Sequence, residues 1–139
     1  MKLNDLFTRD VVTAGPDEAL AGIARRMQEH NVGTVVVVED GRPVGIITDR
    51  DLALALGARG LSPRVPVREV MTRHVLAVPE DTGVFTATRF IQDRKARQLP
   101  VVDREDRLVG LVSLDDLLRR LAREQSNLAE GVGPEAQAQ

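Results

Sequence analysis

Val44-Gly45-Ile46-Ile47-Thr48-Asp49-Arg50-Asp51-Leu52 and Val109-Gly110-Leu111-Val112-Ser113-Leu114-Asp115-Asp116-Leu117 are one pattern written twice. Gly45 and Gly110 each lead through two aliphatic residues to a hydroxyl, and an acid follows three positions after that hydroxyl. An aliphatic run that meets such a pair reads as a strand passing into the start of a helix. Working outward, Val35-Val36-Val37-Val38 falls on Leu99-Pro100-Val101-Val102, and Leu3 to Val11 falls on Val67 to Val75, both at the same offset. Asp17 then matches Asp81. The spacing grows by one residue only at the Asp103 to Arg107 turn, as hairpin loops vary. A self-similar period of this length identifies two copies of one structural unit.

Each copy reads as a helical turn, a brief strand, a helix, two strands and a closing helix, so the order is β-α-β-β-α and the fold class α+β. The brief strands are expected at Val11 to Thr13 and Val75 to Ala77. Leu20, Ile23, Ala24 and Met27 recur on one helical face, as do Val84, Ala87 and Ile91 in the second copy. Thr34 to Val38 is too apolar for a half-wet strand, which predicts cover on both faces. Gly57 is placed to end the helix that follows Asp51, and residues 58–66, rich in Gly and Pro, read as the connection between repeats at 3–57 and 67–122. A repeat of that size buries too little surface to stand alone, so the two are expected to pack sheet against sheet as one pseudo-twofold unit. Beyond residue 122 the periodicity fades, and 123–139 is expected to be a mobile polar tail.

Composition narrows the function. With 42% hydrophobic and 29% charged residues the chain is globular rather than disordered, and 139 residues suffice for one compact unit. No apolar run reaches the roughly 20 residues of a membrane span, and the first residues lack a signal-peptide core, so a cytoplasmic protein with no membrane partner is expected. The absence of Cys removes thiol catalysis and thiolate metal sites, and two His in no ligand motif leave no metal expected. A net charge of −2, with no Tyr or Trp, argues against nucleic acid. No catalytic motif of the GxSxG, Walker or HExxH kind occurs, so no enzyme is expected.

The aligned strings resemble a tandem pair of CBS (cystathionine β-synthase type) domains, a Bateman module. The residues that carry the likeness are Met71-Thr72-Arg73-His74-Val75-Leu76-Ala77-Val78-Pro79-Glu80-Asp81, Leu99-Pro100-Val101-Val102-Asp103 and the two Gly45 and Gly110 strings. They span residues 3 to about 122, departing at Phe7-Thr8, where the family usually has Met-Thr, and at Val36, where repeat two has Pro100. The chain is similar to the free-standing bacterial members. The resemblance implies a regulatory module with no covalent cofactor, binding AMP, ADP, ATP or S-adenosylmethionine in two clefts. It also implies that the signal passes to a separate protein target or to a second copy.

Under that resemblance, Thr48 and Asp51 form one cleft with Val75, Ala77, Arg97, Leu99 and Pro100, and Ser113 and Asp116 form the other with Val11 and Thr13. Val75 to Val78 and Ala96 to Pro100 supply the adenine slot of the first, Val11 to Ala14 and Val32 to Val35 that of the second. Each acid is expected to accept a ribose diol, with free N–H groups at the helix start favouring a phosphate. Arg50, Lys95 and Arg97 would make the first cleft cationic, with His74 beside it. The second has Asp115 in place of Arg50, and Asn31 and Gly33 in place of Lys95 and Arg97, so a phosphate is expected to prefer the first. The same strings also spell capping boxes, a local role compatible with ligand binding. Leu52, Leu56, Leu117, Leu118 and Leu121 exceed one buried stripe, which predicts a homodimer. The contrasting reading is a ligand-free structural or stress-response scaffold with Met27, Leu99 or Arg97 filling the adenine slot.

Overall fold

A computed structural model describes Phe7 and residues 9–73, 75–94 and 97–131. Repeat one contributes β1 (Thr13–Ala14), α1 (Leu20–His30), β2 (Thr34–Glu39), β3 (Arg42–Thr48) and α2 (Asp49–Ala53). A π-helical turn (Leu54–Ala58) and a 3₁₀ turn (Val67–Glu69) lead into repeat two: β4 (Val78–Pro79), α3 (Val84–Arg94), β5 (Gln98–Val102), β6 (Leu108–Ser113) and α4 (Leu114–Gly131). The sheets have the orders β1-β2-β3 and β4-β5-β6, the first pair of each parallel and the second antiparallel. The fold is α+β, with two copies of one unit facing each other. No helix among the described residues is long and apolar enough to cross a membrane.

Period-2 alternation decides which side chains meet. Val35 and Val37 turn toward Leu20, Ile23 and Met27 of α1, while Leu99 and Val101 turn toward Val84, Ala87 and Ile91 of α3. Val36 and Pro100 alternate to the opposite faces and are buried as well, so each sheet is covered on both sides by a helix layer and the other sheet. The cores are also exchanged. Phe7, from the start of repeat one, packs in the core of repeat two, and Val67, Val70 and Met71, from the start of repeat two, pack in that of repeat one. Gly45 makes room for this: a side chain there would run into the Met71 thioether. Main-chain bonds between Ile46 and Thr72, at 3.1 and 2.8 Å, and from Leu108 N–H to the Gly41 carbonyl at 2.8 Å, tie the halves further.

The elements depart from expectation in four places. The brief strands lie at Thr13–Ala14 and Val78–Pro79 rather than at Val11 to Thr13 and Val75 to Ala77, because register with the central strand sets them. The Val36 N–H donates to the Val12 carbonyl at 3.1 Å; Pro100, its counterpart, has no N–H, so β4 starts one repeat position later than β1. Gly57 lies inside the π-helical turn, and the chain reverses instead at Gly60, whose φ of 66° admits a residue without a side chain. Leu52 and Leu117 are buried in the cores and offer nothing to a partner; among the described residues, Leu54, Phe85 and Leu118 are the exposed large apolar residues of the outer helices together with the less exposed Phe90. Finally, α4 runs past residue 122 to Gly131.

Candidate functional site

Thr48 ends β3, and its hydroxyl accepts the Asp51 N–H at 3.2 Å while the Asp51 carboxylate accepts the Thr48 N–H at 2.9 Å. This reciprocal pair is a complete capping box on α2. In repeat two the Ser113 hydroxyl accepts the Asp116 N–H at 3.1 Å, and among the described residues the return bond is not made. Asp51 spends one oxygen on its cap. A carboxylate has about four lone-pair sites, so acceptor capacity remains for a ligand.

In front of Asp51 lies a cleft of about 780 Å³, walled by both repeats. Repeat one supplies Gly33, Thr34, Ile46, Thr48, Asp49, Arg50 and Asp51; repeat two supplies Thr72, Val75, Leu76, Arg97, Gln98 and Leu99. The structure therefore brings together six sequence-named residues, Thr48, Arg50, Asp51, Val75, Arg97 and Leu99. Ala77 and Pro100 are outside the lining. Ser113 and Asp116 stand at the start of α4, and Val11 and Thr13 stand beside or within β1. Among the described residues no hydrogen bond or ion pair joins the two pairs. Met27 is buried beneath the first sheet and does not fill the slot, whereas Leu99 serves both core and cleft. Asn31 closes α1 in a left-handed conformation. His74, Lys95 and Ala96 lie outside the described residues.

The electrostatics differ from expectation in one respect. The sequence predicts free N–H groups at the start of α2 that favour an anion, but the first turn has none to spare. Asp49 N–H donates to the Gly33 carbonyl at 2.9 Å, Arg50 N–H to the Asp49 carboxylate at 2.8 Å, and Asp51 N–H to Thr48. The short α2, five residues before the π-helical turn, adds little dipole of its own. Attraction for an anion rests instead on the side chains of Arg50 and Arg97, set against the carboxylate of Asp49. Asp49 went unnoticed in the sequence because its repeat counterpart is Leu114. It fits here because Gly33 is bare: a Cβ on Gly33 would stand 3.0 Å from that carboxylate. Gln98 falls within the Ala96 to Pro100 stretch expected at the adenine slot, and its side-chain oxygen is buried without a partner.

Beside β1, Arg26 donates to the Thr13 carbonyl at 2.7 Å and pairs with Glu18, which accepts the Gly15 N–H at 2.6 Å. Burial pushes the Glu18 carboxyl up, but the Arg26 and Gly15 hydrogen bonds and the Arg26 charge outweigh it and hold the group below its ordinary value. The network pins the β1 loop.

The sequence model of the CBS domain matches the chain twice, over residues 3–58 and 67–123. An uncharacterised protein of Methanopyrus kandleri, MK0525, is 38% identical over 121 residues, 86% of this chain, which spans 62% of that protein's length. Among solved structures, the CBS domain pair of MJ0100 in complex with 5′-methylthioadenosine and S-adenosyl-L-methionine is similar with a TM-score of 0.78 and 28% identity, over 89% of this chain and 98% of that one. CBSX2 in complex with AMP is similar with a TM-score of 0.75 and 26% identity, over 89% and 98%. Two in-register matches, on two copies of one fold sharing a cleft, leave one assignment: the chain belongs to the CBS domain family, as a tandem pair.

Proposed function

We propose that this CBS pair is a non-catalytic sensor that binds an adenosine-containing ligand, of the AMP, ADP, ATP or S-adenosylmethionine class, in the cleft before Asp51. The observation that carries the reading is that cleft: its volume is in the range of small-molecule sites, and its walls come from both repeats. Val75, Leu76, Ile46 and Leu99 offer apolar walls to a base, the Asp51 carboxylate offers acceptors to a ribose diol, and Arg50 and Arg97 offer cations to a phosphate. The related pairs solved with S-adenosyl-L-methionine and with AMP support the ligand class. A ligand touching both repeats changes the free energy of their relative placement, which a second protein or a second copy can read.

Phosphorylated ligands are expected at this cleft before the one beside Ser113 and Asp116. Calorimetric titration with AMP checks this. Asp51→Ala should lose about 1.5 to 3 kcal/mol of binding, as expected for a charged hydrogen-bond partner, and Asp116→Ala much less. Equal losses would assign the nucleotide to the wrong cleft, and no AMP binding by the unaltered chain would favour the ligand-free scaffold.

A further inference from the structure

Arg97 stands on the wall of the Asp51 cleft, yet its guanidinium also lies 4.0 Å from the carboxylate of Asp115, in the first turn of α4. The main chain ties the same two places, since the Leu114 N–H donates to the Arg97 carbonyl at 2.8 Å. Both side chains are largely exposed, so the pair is weak and readily exchanged for a better partner. Under the repeat, Gly33 takes the place of Arg97 and Arg50 that of Asp115. Gly33 has no side chain to reach across, so the connection runs in one direction only.

We propose that Arg97 couples Asp115 to the Asp51 cleft, its guanidinium being shared between that carboxylate and a phosphate bound there. A phosphate in the Asp51 cleft draws the guanidinium away from Asp115, because a charge-assisted bond to phosphate is stronger than an exposed pair at 4.0 Å. This rests on the nucleotide reading above and adds that Asp115, by competing for Arg97, weakens phosphorylated ligands in this cleft and leaves neutral adenosine unaffected. By reciprocity, a bound phosphate weakens the Arg97–Asp115 pair by the same factor.

The test is calorimetric titration of the full chain with AMP and with adenosine, for the unaltered protein, Arg97→Gln, Asp115→Asn and the double variant. The Arg97 side chain is 77% exposed, so its replacement leaves the cores untouched. Asp115→Asn should tighten AMP by about two- to fivefold, the worth of an exposed pair. It should leave adenosine unchanged, and the gain should vanish when Arg97→Gln is also present. A gain that persists without Arg97, a gain with adenosine as well, or no gain with AMP overturns the coupling while leaving the nucleotide reading intact. If the unaltered protein binds neither AMP nor adenosine, the nucleotide reading falls and the coupling falls with it.

Discussion

Asp51 serves two ends at once: it closes the capping box on α2 and faces the cleft with the acceptor capacity that remains. Asp116, its counterpart, makes only half of that box, so side chains equivalent in sequence are not equivalent in place. Glu18 is the residue whose chemistry reports most directly on folding. Its carboxyl sits below the ordinary 4.5, so its contribution to stability is complete above that value and is lost as pH falls through the lower folded value. Thermal melts of the unaltered protein and of Glu18→Gln, taken from neutral pH into acid, should differ most at neutral pH and converge below pH 4.5. A gap of constant size across that range would mean that the Arg26 network contributes nothing through charge.

At the scale of elements, the repeats differ where backbone chemistry forces them to. Pro100 lacks the N–H that Val36 gives to Val12, which delays the start of β4. Ala19 at the start of α1 makes no side-chain cap, and the linker substitutes for one: Leu20 and Ala21 N–H groups donate to the carbonyls of Val65 and Pro63, each at 3.0 Å. The two linker-side glycines have opposite roles. Gly57 sits within the π-helical turn with open space where a Cβ would stand, so Gly57→Ala should raise stability by about 0.5–1 kcal/mol. Gly60 has a φ of 66°, so Gly60→Ala should lower stability by about 1 kcal/mol or more. Denaturant titration of both variants checks the signs; equal effects would place the helix end at the wrong glycine.

For the molecule as a whole, the exchanged cores make each repeat depend on the other. Residues 1–60 alone would leave Phe7 without its core and the first core without Val67, Val70 and Met71. Expressed alone, that fragment should be unfolded or aggregate, while the full chain melts in one cooperative transition. A soluble half with its own sharp melt would refute the exchange. Of the homodimer face expected from Leu52, Leu56, Leu117, Leu118 and Leu121, only Leu118 is exposed, and Leu54 and Phe85, the latter 77% exposed, join it. Light scattering should give twice the mass of a single chain, reduced toward the monomer by Phe85→Arg together with Leu118→Arg. A single-chain mass for the unaltered protein across a wide concentration range would exclude the pairing.

The repeat, the element order, the core faces of α1 and α3 and the Thr48–Asp51 string were all legible in the sequence, because each rests on a short period or a fixed local spacing. Six of the cleft residues came with the resemblance to CBS pairs, which set one copy's helix start against the other copy's strands. What the fold alone decided depends on residues far apart in the chain. Phe7 and Val67 cross into the opposite cores, linker carbonyls cap α1, and Asp49 enters the cleft because Gly33 stands beside it. Of the three donors at the start of α2, two are taken locally by Thr48 and Asp49, and the third goes to the carbonyl of Gly33 across the open end of the β2-β3 hairpin. Local pattern specifies which groups want partners; only the packed chain assigns the partner to each, because every buried donor and core face must be matched at once.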